Sequence, residues 1–172
     1  MLLKNKTVAI FVEQMYQVLE VWYPYYRLTE EGADVFLVGP KQGEVYLSKE
    51  GYPAKADKSI EDLTAADFDA VIIPGGFAPD YMRRTKAFID FVKELNADEK
   101  VIATICHGAW IAASAEVVEG KKMTCFWPIK DDIIHAGANY VDEQVVQDKN
   151  LISSRTPDDL PAFCKTIINS LT

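Results

Sequence analysis

The stretch VIATICHGAW, residues 101–110, joins an apolar, β-branched run to a cysteine and then to small residues. The run before Cys106 is typical of a fully buried strand, and the residues after it are typical of a helix. A strand that ends in a nucleophile and turns at once into a helix is the setting of a nucleophile elbow, here with a thiol instead of serine. Ala103, Gly108 and Ala109 are small where so tight a turn needs small side chains. The stretch therefore predicts an α/β fold with a reactive cysteine at a strand end.

Strands and helices alternate on both sides of this elbow. The β-α-β order favours parallel strands joined by right-handed crossovers. Two hairpins are also predicted, one over residues 43–56 and one between the short strands MTCF and LISS. Strands are predicted over residues 7–12, 33–39, 69–76 and 100–105, and helices over residues 18–31, 85–97, 107–118 and 157–171. The chain is expected to form a single domain over residues 1–172, a three-layer α/β/α sandwich with a mostly parallel sheet.

Composition and charge narrow the classes of function. The formal net charge of −8 and the lack of Lys/Arg clusters disfavour nucleic acid as a partner. Lys4 and Lys6 interrupt any signal peptide, and no apolar run approaches the roughly 20 residues that span a bilayer. Three cysteines do not make a disulfide framework, and Cys and His nowhere occur at metal-ligand spacing. We expect a cytoplasmic protein with free thiols, without a membrane segment, metal or cofactor.

Cys106 is the first candidate for chemistry. The positive end of a helix dipole is expected to lower the pKa of its thiol and to favour the thiolate. The backbone N–H groups of His107 and Gly108 are free by position and available to an oxyanion. The alternative is a buried cysteine that packs as a small apolar side chain. Its position at a strand-to-helix junction, next to one of only two histidines, favours the catalytic interpretation.

A second strand end, IIPGG over residues 72–76, is expected at the same edge of the sheet. The turn of Gly75 and Gly76 lets the backbone approach a ligand closely, and the Gly76 N–H is a candidate oxyanion donor. The alternative is a plain Pro-Gly-Gly turn. Asp80, which follows in FAPD, is by itself more typical of a helix N-cap than of a catalytic acid.

The other reactive or aromatic side chains have simpler interpretations. Packing is the better interpretation for Cys125 and Cys164, and His135 is expected to be structural or exposed. The aromatic cluster VWYPYY, residues 21–26, has helical spacing and is interpreted as core or as a subunit interface rather than a ligand platform.

Several longer motifs resemble the PfpI type of the DJ-1/PfpI superfamily, which has the class I glutamine amidotransferase-like fold. They are EVWYPYYRLTEEG, PGGFAPD, ATICHGAW, IKDDIIHAGANYVDE and ISSRTPDDLPAF, which occur in the family's order from the first strand to the last helix. The resemblance implies a flavodoxin-like sandwich, a homo-oligomer, and a small carbonyl compound or peptide as substrate.

The resemblance also implies roles for individual residues. Cys106 would be the nucleophile, with His107 beside it, and Glu20 would hydrogen-bond the cysteine sulfur. Gly76 and His107 would supply the N–H groups of the oxyanion hole. Asp80 would reach the histidine of a neighbouring subunit, so that the Cys-His-acid triad exists only in the oligomer. Adjacent side chains diverge in this picture: Cys106 turns toward Glu20, and His107 turns outward to the neighbour's acid.

Two details of the sequence affect how the resemblance is applied. Glu13 competes with Glu20 as the acid near the first strand end, and the motif favours Glu20. The role of Glu20 requires that its pKa be raised. The chain has CFWPIKDD where relatives commonly carry Tyr-Pro-Gly, so that Phe126 replaces a phenol and Trp127 adds bulk. We expect this departure to affect substrate choice, and peptide cleavage first.

The resemblance leaves two functions open. One is a cofactor-free cysteine enzyme, either a glyoxalase or deglycase independent of glutathione or a peptidase or amidase. The alternative is a redox-sensing or chaperone-like stress protein that works by oxidation of Cys106. A glutamine amidotransferase is set aside, because it needs a late His-x-Glu pair and His135 is followed by Ala136 and Gly137.

Overall fold

The buried strands predicted from the apolar runs form the centre of the protein, in a computed structural model that describes residues 1–172. The strands are β1 Thr7–Phe11, β2 Asp34–Gly39, β3 Val45–Leu47, β4 Pro53–Lys55, β5 Lys58–Ser59, β6 Ala70–Ile73, β7 Val101–Ile105, β8 Lys122–Met123, β9 Asn139–Tyr140, β10 Val145–Asp148 and β11 Leu151–Ser154. The α-helices are α1 Val18–Glu30, α2 Ala78–Met82, α3 Lys86–Ala97, α4 Ala109–Ser114, α5 Lys130–His135 and α6 Leu160–Leu171.

Seven strands form one sheet in the order β10-β11-β7-β6-β1-β2-β5. Every neighbouring pair is parallel except β10 and β11, which are antiparallel. The chain runs outward from β1 to β5, then returns to the other side of β1 with β6. In open α/β sheets a ligand crevice forms at the carboxyl ends of the strands where the strand order reverses. The topology therefore places a crevice beyond β1 and β6, with β7 next in line.

Helices cover both faces of this sheet, which explains why its inner strands are apolar throughout. All residues of β6 and β7 are buried, as expected for strands with no solvent face. Helix α1 packs against α6 on one face, and α3 packs against α4 on the other. The α/β/α sandwich with a mostly parallel sheet is confirmed.

Both hairpins predicted from the sequence form, but in different settings. The first, β3 with β4, is a separate antiparallel pair outside the main sheet. The second, β10 with β11, extends the edge of the main sheet beside β7. The MTCF stretch contributes only the end of β8, which pairs with β9 in a second small sheet. The predicted helix 107–118 is too long, since a 3₁₀ turn occupies its start and positive φ at Glu116 follows its end.

No helix of the structure has the length and the apolar character needed to cross a membrane.

Candidate active site

The carboxyl ends of β1, β6 and β7 open into a cavity of about 370 Å³. The cavity contains Cys106, His107, Glu20 and Gly76, four of the residues singled out in the sequence, whereas Asp80 does not line it. Its ten lining residues are Gln17, Glu20, Lys49, Gly76, Phe77, Cys106, His107, Phe126, Thr156 and Pro157. Because it combines a thiol, an imidazole and a carboxyl, this cavity is the candidate active site.

A larger surface depression of about 650 Å³ lies on the outer face of α1 and contains no nucleophile. Its aromatic walls come from the VWYPYY cluster. Trp22 stacks on Tyr26 and packs edge-on against Tyr25, while Tyr23 and Tyr26 keep large exposed surfaces. The cluster is therefore only partly core, and its role as a subunit interface stays a prediction.

The backbone at Cys106 turns sharply between strand and helix. Cys106 has φ of 58°, in the left-handed region that side chains rarely adopt. Such a conformation costs on the order of 1–3 kcal/mol and is typical of functional sites. Gly108 makes the turn possible, because a Cβ there would lie 2.1 Å from the Ile73 carbonyl oxygen. This is the strand-turn-helix geometry expected of an elbow.

The side chains of Cys106 and His107 do not diverge. Cys106 Sγ lies 3.3 Å from His107 Nδ1, and both residues line the same cavity. The expectation that His107 turns away from its neighbour is therefore wrong. The positive φ at Cys106 breaks the strand's alternation, so adjacent side chains can reach the same side.

Glu20 is fully buried in the first turn of α1. Its helix starts at a fixed point, because Gln17 Oε1 accepts hydrogen bonds from the N–H groups of Leu19 (2.7 Å) and Glu20 (3.1 Å). Glu20 Oε2 accepts a hydrogen bond of 2.6 Å from the Gly75 N–H, and Oε1 has no partner. Glu13 does not line the cavity. The structure thus brings Glu20, rather than Glu13, to the cysteine.

Because Gly75 has no side chain, the Glu20 carboxyl and the Cys106 thiol can lie close together. A Cβ on Gly75 would lie 2.7 Å from Cys106 Cβ and 2.8 Å from Glu20 Oε2. Since the Gly75 N–H is already donated to Glu20, the oxyanion donors that remain are those of Gly76 and His107. Both of these N–H groups lower the pKa of the Cys106 thiol. Their role as oxyanion donors stays a prediction.

Burial dominates the acid-base properties of the pair. It raises the pKa of Glu20 to about 7, against the lowering effects of the Gly75 N–H, Lys49 and Cys106. It also raises the pKa of Cys106 to about 12, with a further contribution from the Glu20 charge. The raised pKa required of Glu20 is thus present, whereas the lowered pKa expected for Cys106 is wrong. The cause is that desolvation of the buried thiol, together with the Glu20 charge, outweighs the lowering effects of the backbone N–H groups and of Lys49.

His107 is a neutral imidazole in a mostly aromatic setting. Burial, followed by the charge of Lys49, lowers its pKa. Its ring packs edge-on against Trp110 at 5.0 Å and at a tilt against Phe126 at 5.2 Å. No carboxylate of the same chain hydrogen-bonds the ring. The absence of an intrachain acid agrees with the sequence, which offers no local third group.

Asp80 lies in α2 and forms a 2.6 Å ion pair with Arg84, four residues further along the chain. It is neither the N-cap, which is Phe77, nor a partner of His107 within the chain. Its side chain is 36% exposed and accessible to another molecule. Its contribution to a neighbouring subunit's site stays a prediction.

The remaining candidates behave as the sequence indicates. Cys125 and Cys164 are buried in the core at 0% and 1% exposure, and His135 is exposed. Phe126 lines the cavity, but Trp127 is 66% exposed and lies outside it. Of the two residues that depart from the family pattern, only Phe126 can contact a molecule beside Cys106.

Five lining residues were not singled out from the sequence: Gln17, Lys49, Phe77, Thr156 and Pro157. Lys49 sits in the β3–β4 turn, which was predicted as a hairpin without any indication of where it folds. A bridge between Tyr16 and Ser48 carries that turn to the end of β1. Thr156 lies in RTPDD, which was noted only as part of a family motif. Nothing in that stretch indicated that Thr156 would line the cavity.

The comparisons with known proteins agree with this fold. The model of the DJ-1/PfpI family matches residues 6–170. The chain is 39% identical to "Deglycase PfpI" of Pyrococcus furiosus, over 89% of this chain and 92% of that protein. It is 37% identical to "Putative cysteine protease YraA" of Bacillus subtilis, over 97% and 99% of the two chains.

A solved structure with a TM-score of 0.95 is similar to 96% of this chain at 40% identity. It is a two-domain protein from Anabaena variabilis with DJ-1/ThiJ/PfpI-like and ferritin-like domains, of which this chain spans 48%. The chain belongs to the DJ-1/PfpI family.

The raised pKa of Glu20 predicts a stability effect with a definite sign. Because the folded pKa is about 7 and the ordinary value is 4.5, ionising Glu20 destabilises the fold as pH rises from about 4.5 to 7. Glu20→Gln, which cannot ionise, should raise the free energy of unfolding at pH 8 by up to about 3 kcal/mol and change it little at pH 4. Urea unfolding at both pH values measures this difference.

The matched control is Glu30→Gln, which removes an exposed carboxylate from the same helix. It should leave the free energy of unfolding within about 0.5 kcal/mol at both pH values. Equal or lower stability of Glu20→Gln at pH 8 would contradict the buried, ionisable state of Glu20.

Proposed function

We propose that the protein is a cofactor-free cysteine enzyme that acts on small 2-oxoaldehydes and on their adducts with amines or thiols, as a glyoxalase or deglycase. The observation that carries the proposal is the surroundings of Cys106 Sγ. His107 Nδ1 lies 3.3 Å away, the buried Glu20 carboxyl lines the same cavity, and the N–H groups of Gly76 and His107 lower the pKa of the thiol. A thiol, two proton carriers and an oxyanion hole are what addition to a carbonyl needs.

In the first step the sulfur adds to the aldehyde carbon and a new C–S bond forms. The thiol proton passes to the Glu20 carboxylate, which is the better base because the pKa of Glu20 is raised while that of His107 is lowered. The N–H groups of Gly76 and His107 stabilise the negative charge on the former aldehyde oxygen. With an adduct, the sulfur takes the place of the amine or thiol at the same carbon, and that group leaves with a proton.

In the second step His107 takes the proton from the carbon bonded to sulfur and returns it to the neighbouring carbonyl carbon. A neutral imidazole 3.3 Å from the sulfur is within reach of that carbon. The proton that Glu20 took from the thiol passes to the former ketone oxygen, so that the aldehyde carbon is oxidised to a thioester and the ketone is reduced to an alcohol. Water then hydrolyses the thioester, which releases a 2-hydroxy acid and restores the thiol. The net reaction adds one water to the 2-oxoaldehyde.

Peptide hydrolysis is the runner-up within the same class of chemistry. A relative is named as a putative cysteine protease. A cysteine peptidase also ends its reaction by hydrolysing a thioester, the acyl-enzyme, so the two reactions share their last step. The cavity of about 370 Å³ is a small concave site rather than an extended groove. Phe77 and Phe126 narrow its walls. These features favour small carbonyl substrates over a peptide.

The redox-sensing alternative has weaker support. An oxidation sensor needs an exposed thiol with a low pKa. Cys106 is 9% exposed, and burial raises its pKa. We therefore assign oxidation of Cys106 no primary role in the proposal.

The proposal includes an acid from a second subunit. His107 lacks an intrachain carboxylate, and a base beside a nucleophile generally needs a third group to hold it in place. Asp80 is accessible, and its intrachain partner Arg84 is 66% exposed, so that ion pair is weakly held. An oligomer in which Asp80 meets the partner's His107 would complete the Cys-His-acid set.

The proposal predicts turnover of methylglyoxal to lactate without glutathione. Cys106→Ala should lower the rate at least about a thousandfold, because it removes the nucleophile. Cys164→Ala, which removes a thiol buried in α6, should retain the wild-type rate. Lactate formed at neutral pH, and amine released from a methylglyoxal adduct, are the measurements. Equal rates in wild type and Cys106→Ala would refute the proposal, and hydrolysis of a fluorogenic peptide in place of lactate formation would assign the peptidase function.

Asp80 acting across subunits predicts that two impaired variants complement each other. Cys106→Ala and Asp80→Asn should each lose most activity. Co-expressed in equal amounts, they should recover about a quarter of the wild-type rate, since about half of the dimers are heterodimers and one of the two sites in each heterodimer is complete. Co-expressed Cys106→Ala and His107→Ala should recover nothing, because those two residues act within one chain. Full activity of Asp80→Asn alone, or no recovery on mixing, would contradict the shared site.

A further inference from the structure

Lys49 contributes the only positive charge among the residues that line the cavity. It lies in the turn between β3 and β4. The backbone there is well anchored, because the Lys49 N–H donates a 3.0 Å hydrogen bond to the Tyr16 carbonyl. Ser48 Oγ accepts hydrogen bonds from the Glu50 and Tyr52 N–H groups. These hydrogen bonds hold the backbone of the turn in place, and the Lys49 side chain is exposed.

The Lys49 ammonium has no partner within the chain. None of the eight ion pairs includes it, and its Nζ donates no hydrogen bond to another residue. Its charge nevertheless reaches the reactive groups: it lowers the pKa values of Glu20, Cys106 and His107 alike. An unpaired cation that affects all three groups faces the interior of the site as well as solvent.

The negative net charge of the chain bears on whether an anionic ligand can enter the cavity beside Lys49. The net charge of −8 repels anions in general. A cavity with Glu20 as its only other charged group would also exclude an anion above pH 7. One lysine at the opening offsets that repulsion locally for a ligand with one negative charge.

We propose that Lys49 binds a carboxylate of the substrate, so that the enzyme prefers 2-oxoaldehydes that carry a carboxylate at the end remote from the reacting carbonyl. This inference rests on the proposed function and adds its substrate class. The carbonyl end lies at Cys106 and the oxyanion donors, and the carboxylate end lies at the opening beside Lys49. Gln17 and Thr156 line the same cavity and offer polar groups to the substrate between these ends.

The test compares two 2-oxoaldehydes of equal chain length, 4,5-dioxopentanoate, which ends in a carboxylate, and 2-oxopentanal, which ends in a methyl group. Lys49→Met removes the charge and keeps an unbranched side chain. It should lower kcat/KM for the carboxylate at least about tenfold and for the neutral compound less than about twofold. Lys55→Met, an exposed lysine at the end of the same hairpin, is the control and should change neither value.

Two results would overturn the inference. An equal fall for both substrates would show that Lys49 acts on the thiol instead of on the carboxylate. No fall for either would show that the lysine is merely solvated.

A binding measurement separates this inference from the proposed function. In a Cys106→Ala background, calorimetry compares 4-oxopentanoate with neutral 2-pentanone, and neither needs to react. Binding of 4-oxopentanoate that weakens at least about tenfold on Lys49→Met supports the carboxylate site even if wild type turns over no 2-oxoaldehyde. Unchanged affinity, or no preference for the anion, overturns it even if turnover is present.

Discussion

The buried contact between Glu20, Gly75 and Cys106 is the constraint on which the rest of the site depends. One carboxyl oxygen of Glu20 lies 2.6 Å from the Gly75 N–H, and a Cβ on Gly75 would collide with both neighbours. Three elements meet there: the start of α1, the turn after β6 and the elbow after β7. Because the topology reverses at β1 and β6, these three chain segments can converge although they are far apart in sequence.

This contact destabilises the fold when Glu20 is ionised, and in the proposed mechanism it provides the base for the thiol. Burying a carboxyl beside a thiol raises both pKa values, and coupled acids titrate as a pair rather than as separate groups. Above about pH 7 the pair holds one proton, and the proposed mechanism moves that proton from sulfur to oxygen as the sulfur reacts. The left-handed backbone at Cys106 adds further strain. Destabilisation concentrated at one point of an otherwise apolar core is typical of a functional site.

The sequence was sufficient for the sandwich and for the strand-turn-helix junction at Cys106, because buried parallel strands leave strong local signals. The position of Glu20 near the cysteine was expected only from the resemblance of EVWYP to the family motif. The sequence was insufficient where the outcome depends on competing effects or on distant packing. The pKa of the thiol depends mainly on how deeply the sulfur is buried, which the sequence does not give. The contact between Cys106 and His107 depends on the positive φ angle of Cys106. Lys49 reaches the site through the packing of a hairpin, which no pattern in LSKEG indicates. The short helices α2 and α5 lack enough turns for a clear periodicity.

The pH dependence of Cys106 alkylation tests the central claim that Cys106 and Glu20 share a proton. Iodoacetamide modification, followed by mass spectrometry of the Cys106 peptide, gives the rate from pH 5 to 9, with buried Cys125 and Cys164 as unreactive internal references. In the wild type the rate should rise to a plateau with an apparent pKa of about 7 as Glu20 ionises, because the Glu20 carboxylate then accepts the proton of the reacting thiol. Glu20→Gln should lack that step and react only at higher pH. The same profile in both proteins would contradict the account.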